Sequence, residues 1–166
     1  MLFAILRFLH IISGIVWGGG AVIMFFAVLP SIAATGDSGK QFAAYLFGKS
    51  AFTKIMLVAG LTTVLAGSYL YGVDSNWFQS AWMQSSQGMG FGIGASAGIV
   101  AFVFGFLISK TNQELGKLGA QIQGAPTPEQ RSALDALQKR LRFVATVNII
   151  FILLSIGMMA SARMFR

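Results

Sequence analysis

Apolar positions gather into four long runs separated by shorter polar stretches. The first run reads from about Leu2 to Leu29 and is interrupted by titratable side chains only at Arg7 and His10. The others span about Phe52–Tyr71, Gly88–Ser109 and Phe143–Arg163. Crossing a bilayer takes about 20 apolar residues in a helix, and each run is long enough. The pattern predicts an all-α integral membrane protein: an antiparallel four-helix bundle in which residues 1–166 make one membrane domain.

The links carry their own signals. Proline cannot continue a helix ladder, so the first helix is expected to end at Leu29-Pro30. A polar link, Ser31–Ser50, then turns at Gly36-Asp37-Ser38-Gly39, and Phe42, Ala43, Leu46 and Phe47 predict an interfacial turn of helix. Between Gly72 and Gln87 there is no lysine or arginine and only Asp74, yet Trp77, Phe78, Trp82 and Met83 are present. Such a segment is expected to lie on the bilayer surface or to cap the bundle.

Beyond Lys110 the helical period persists through Leu115, Leu118 and Ile122 to Gly124-Ala125-Pro126. Thr127 then reads as an N-cap, with Pro128 in the first turn and Gln130 able to bond back. Leu134, Leu137 and Leu141 answer the earlier stripe. Helices 3 and 4 are therefore expected to extend into water as a helical hairpin over about 110–142.

Composition supports the membrane reading. Hydrophobic residues make up 55% of the 166 residues and charged ones 10%, with a mean hydropathy of +0.73. A soluble domain averages about 25% charged residues. The net charge of +7 does not point to nucleic acid, because the basic residues flank the spans. Lys40, Lys49, Lys54, Lys110, Lys117, Arg131, Lys139, Arg140 and Arg142 fall on one side, against Arg7, Arg163 and Arg166 on the other. The positive-inside rule puts the first set in the cytoplasm, with both termini outside. The first run has no A-x-A-like cleavage site at its end and is expected to stay as a mature helix.

There is no cysteine, which excludes disulfides and thiol chemistry. No Asp or Glu falls inside a predicted span, so a carboxylate proton relay has no support. Neither a Ser–His–Asp set, a phosphate loop nor HExxH occurs.

His10 is the only histidine, and it lies inside an apolar run. At 100° per residue it shares a stripe with Gly14, Trp17, Gly18 and Ala21. Gly14 and Gly18 form a GxxxG spacing, as do Gly94 and Gly98 in the third run, and this spacing lets helices approach closely. The stripe is therefore expected to face protein. His10 lies about 12 Å from the outer end of its helix. Counting to the same depth on the other three helices gives Thr63, Ser96 and Ser155, a layer of hydroxyls able to satisfy an imidazole.

Two readings of this layer stand side by side. In one, His10 is satisfied by a hydroxyl or a backbone carbonyl and fixes helix register. In the other it is an axial ligand of b-type haem or a porphyrin, with Gly14, Trp17, Thr63, Ser96 and Ser155 as the pocket. A third use, Cu(I) binding by methionines such as Met158 and Met159, competes with plain gap-filling. Arg7, one turn outward, reads as a side chain reaching the headgroups or as a partner for an anion. Asn148 reads as an interhelical hydrogen bond, and Lys54 as reaching the inner surface.

FLHIISGIVWGGG and the following LP resemble the first helix of a group of small bacterial membrane proteins. That group includes the copper-resistance D family, the HemJ-type protoporphyrinogen oxidases and uncharacterised four-span proteins. AGLTTVLAGSYLYGVDSNWF and APTPEQRSALDALQKRL are most similar to the uncharacterised members. The resemblance implies a bacterial cytoplasmic membrane. In the HemJ-like branch it implies b-type haem on the first-helix histidine, which His10 matches, and a lysine on a later span. Here Lys110 stands only at the far end of the third span. In the copper-resistance D branch it implies copper handling.

The expectation is a non-enzymatic accessory or stabilising subunit, as a homo-oligomer or within a larger membrane complex. The alternative is a haem-binding membrane protein with His10 as ligand.

Overall fold

The computed structural model describes residues 1–122 and 124–164; Arg166, counted above for topology, lies outside the described residues. The described residues are almost wholly helical, and four helices are long and apolar enough to cross a membrane. We label the helices α1 (Leu2–Ala34), α2 (Gly36–Gly48), α3 (Phe52–Asp74), α4 (Ser80–Met83), α5 (Ser86–Gln121) and α6 (Pro128–Ser161). A 3-10 turn, Ala162–Met164, follows α6.

The first helix does not stop at Pro30. It widens into π turns at Ile15–Gly19 and Met24–Val28 and continues to Ala34. Proline lacks the donor and its ring crowds the carbonyl four residues back. The wider turn just before Pro30 relieves that crowding, so the chain stays helical.

The expected turn at Gly36-Asp37-Ser38-Gly39 is likewise helix, the first turn of α2. Reversal takes only Thr35 and Gly36, whose φ of +58° is open to glycine at no steric cost. Gly39 then presses against the Ile32 carbonyl, which only a residue without Cβ allows. Lys40 donates to the Asp37 carboxylate at 2.8 Å, and this hydrogen bond and charge hold the Asp37 pKa below the ordinary carboxylate range.

The aromatic link folds back on the ends of α3 and α5. Asn76, Trp77 and Phe78 all have positive φ, 47–71°, a conformation that disfavours L-residues. Fully buried Ser75 holds the turn, donating to the Gly72 carbonyl at 3.1 Å and accepting from the Phe78 N–H at 2.9 Å. Trp77 covers Gly72, while Trp82 packs on Tyr71 and stacks with Phe91. The helix α5 is then capped by Ser85, which accepts from Gly88 N–H at 3.0 Å.

Thr127 and Gln130 form the expected capping box with Pro128 at the first turn of α6. Glu114 of α5 pairs with Arg140 of α6 at 3.1 Å. Higher in the same helices, Asn148 donates to the Ala101 carbonyl at 2.6 Å, the interhelical bond its isolation in an apolar run predicted.

Each of the four long helices contributes one residue to a central buried cluster: Trp17, Ala59, Ala101 and Ile152. Two of these four, Trp17 and Ala59, are followed by a glycine, Gly18 and Gly60, that lets backbones close up. A Cβ on Gly60 would stand 3.0 Å from the Phe102 ring and 3.3 Å from Trp17, so a methyl there would push both rings. Lipid provides no hydrophobic drive between helices, and contact must come from such close packing.

Candidate functional site around His10

The polar cluster is built by α1 and α3. Along their contact, His10 meets Gly67, Gly14 meets Thr63, Trp17 meets Gly60, and Gly20 meets Met56. Ascending numbers on one helix face descending numbers on the other. His10 Nδ1 lies 2.8 Å from the Thr63 carbonyl and donates to it. In a neutral imidazole that sets the tautomer, with the proton on Nδ1 and the lone pair on Nε2.

Two residues that the sequence reading did not single out complete the arrangement. Gly67, one turn beyond Thr63, leaves the space the imidazole fills. A Cβ there would come within 2.7 Å of the ring. Ser13, one turn beyond His10, donates to the Leu9 carbonyl at 2.5 Å. The Thr63 hydroxyl lies 2.8 Å from the Ala59 carbonyl and 2.9 Å from Ser13 Oγ, and its one proton serves either. Ser13 was findable from spacing, since positions three and four apart share a helix face.

The stripe through Gly14, Trp17, Gly18 and Ala21 packs inward as expected, though on three neighbours in turn. Gly14 meets Thr63 of α3, Trp17 crosses the Phe102 ring of α5 edge-on at 6.1 Å, and Gly18 meets Ile156 and Ile152 of α6. The second GxxxG pair is also used within the chain. Gly94 abuts Met159 and Met158, and Gly98 abuts Ser155.

The hydroxyl layer does not converge on His10. Ser155 donates to the Gly94 carbonyl at 2.8 Å, joining α6 to α5. Ser96 is exposed and lines a groove of about 540 Å³ with Tyr71, Met89, Phe151 and Leu154. Of the three residues chosen by depth, only Thr63 meets His10. Depth fixes the level of a residue but not its direction around the helix, and three of the four helices had to guess the second coordinate.

Arg7 is exposed, and among the described residues it has no carboxylate partner. Among the described residues no three His, Asp or Glu side chains converge as a metal site would require. Neither of the two described grooves is lined by His10. A haem on this protein would therefore have His10 Nε2 as its one imidazole ligand.

No protein-family model, curated protein or solved structure matches the chain.

Proposed function

We propose that the protein is a non-enzymatic subunit of the bacterial cytoplasmic membrane, an antiparallel four-helix bundle that stabilises a homo-oligomer or larger complex through α1. One observation carries this reading. The apolar stretch of α1 is 11% buried, against 22% for α3, 22% for α5 and 28% for α6. The helix that holds the only histidine is the least covered of the four, and Phe8, Ile12, Ile15 and Ile23 face outward from it. Opposed residue numbering across the α1–α3 contact supports the antiparallel arrangement. The basic links support both termini outside, with the α5–α6 hairpin in the cytoplasm.

The test uses the absence of native cysteine. Ile12→Cys and Ile15→Cys should cross-link through α1 in native membranes, while Val103→Cys on the exposed face of α5 should not. A strictly monomeric protein in mild detergent, with no α1 cross-link in membranes, would overturn the proposal.

A second reading has its own observation. With Nδ1 committed to the Thr63 carbonyl, Nε2 of His10 has the arrangement seen in metal-ligating histidines, whose other nitrogen is tied to a carbonyl. This supports the HemJ-like resemblance, with His10 holding a b-type haem. Visible spectra of oxidised and dithionite-reduced protein, beside His10→Ala, decide it. A Soret band lost in the variant supports haem, and a flat wild-type spectrum removes it.

A further inference from the structure

We propose that the turn Ser75–Gln79 is re-entrant: it carries Trp77 and Phe78 back into the leaflet at the end where α3 passes to α5, so that both rings lie against lipid. Their level comes first. α3 has 23 residues, about 34 Å of helix, slightly more than the roughly 30 Å of hydrocarbon in a bilayer. Its last turn therefore stands at the boundary with the headgroups, and the chain does not leave from there. Trp77 N–H returns to the Gly72 carbonyl at 2.7 Å, and the Trp77 ring lies over Gly72 and edge-on to Tyr69 at 6.0 Å. Phe78 rests on the Tyr71 ring at 6.1 Å. Gly72 and Tyr69 lie about 3 and 8 Å of rise inside Asp74. The two rings thus flank the last turns of the span instead of standing beyond them.

The backbone suits that place. A loop in water can leave its N–H groups to the solvent, whereas in lipid each must be met inside the protein. Five in succession are met here. Ser75 N–H donates to the Tyr71 carbonyl at 2.9 Å, Asn76 to Val73 at 3.1 Å and Gln79 to Ser75 at 2.9 Å, beside the bonds of Trp77 and Phe78. Three consecutive left-handed residues make this possible, a conformation that persists only where its surroundings dictate it. Burial in the bundle is not what dictates it, because Trp77 and Phe78 remain 64% and 60% exposed. From Ser75 to Ser109 there is also no charged residue to hold the link in water. Lipid, not a second protein, is the partner these rings fit. Contact between membrane helices rests on small residues that let backbones close up, and two bulky rings offer no such approach. Tryptophan instead favours the headgroup boundary, and phenylalanine the hydrocarbon beneath it.

The experiment reads the fluorescence of wild type and Trp77→Phe in phosphatidylcholine vesicles, plain or brominated at the upper acyl carbons. The difference between the two proteins is the emission of Trp77. Bromine should lower that difference at least twofold, and aqueous iodide should leave it nearly unchanged. Quenching by iodide but not by bromine would put the turn in water and overturn the proposal. A second measurement does not rely on tryptophan. The chain has no native cysteine, so Phe78→Cys can carry a single nitroxide label, beside Leu65→Cys on the exposed face of α3 and Lys117→Cys on the hairpin. Collisions with oxygen should outnumber those with a water-soluble nickel complex at position 78 as at position 65, with the order reversed at position 117. The reversed order at position 78 would overturn the re-entrant turn. Protection from both probes would mean that protein covers it, and would overturn the proposal equally.

Discussion

The imidazole of His10 occupies the volume that any side chain at position 67 would need. A Cβ on Gly67 would stand 2.7 Å from Cε1 and 2.8 Å from Nδ1 of the ring. The histidine and the glycine are thus one packing unit divided between two helices, and the hydrogen bond to Thr63 depends on both.

Gly67→Ala should therefore displace the ring and break its bond to the Thr63 carbonyl. The cost is about 1–3 kcal/mol, from overpacking and a lost buried hydrogen bond. In a His10→Ala background the same change should cost much less. Thermal unfolding of all four proteins in one detergent gives the coupling energy. Additive costs would show that the two residues do not share the space.

Trp17 lies at the crossing of all four long helices, 9% exposed. Trp17→Ala should leave a cavity against Ala59, Ala101 and Ile152. Loss of packing, without the full transfer from water, should cost about 2–3 kcal/mol. A melting temperature close to wild type would mean that the helices close over the gap.

The bond from Asn148 to the Ala101 carbonyl holds α6 to α5 at 2.6 Å. Asn148→Leu should cost about 1 kcal/mol, near the usual value for hydrogen bonds between membrane helices. Ser155→Ala, which releases the Gly94 carbonyl, should cost less than 1 kcal/mol by the same measure. Denaturation in mixed micelles ranks the two.

At the other end of α6, Thr127→Ala removes the cap that accepts from the Gln130 N–H. About 1 kcal/mol of helix stability should be lost. Hydrogen exchange should quicken in residues 128–132 and leave residues 145–155 unchanged. Uniform quickening along the helix would show that the cap controls more than its own turn.

Much of this was readable in the chain. The four apolar runs, the capping box at Thr127, the inward stripe from Gly14 to Ala21 and the bond from Asn148 all follow from period and residue type. Counting depth picked Thr63 as a neighbour of His10, but the bond is to its backbone carbonyl and not to the hydroxyl for which it was picked. Pro30 misled because a local rule about donors ignores how a π turn upstream can make room. Gly36–Gly39 misled because turn composition does not say how many of its residues the reversal consumes. Ser96 and Ser155 sit at the right depth and point elsewhere, since direction around a helix is set by neighbours that only the fold supplies. Gly67 was overlooked for the opposite reason: what it contributes is room, and an empty position carries no chemical signal of its own.

The two π turns of α1 each hold one residue more than an α turn does. His10 lies before Ile15–Gly19, Trp17 within that turn, and Ala21 after it. Removing one residue from the turn would restore an ordinary helix there and leave the flanking turns near their present angle, because the wider pitch takes one more residue to sweep the same arc. His10 would then keep its seat against Gly67, whereas the same deletion among Ile11–Ser13 would swing it off by about 100°. The helix can lose a residue at one place that it cannot lose a turn away.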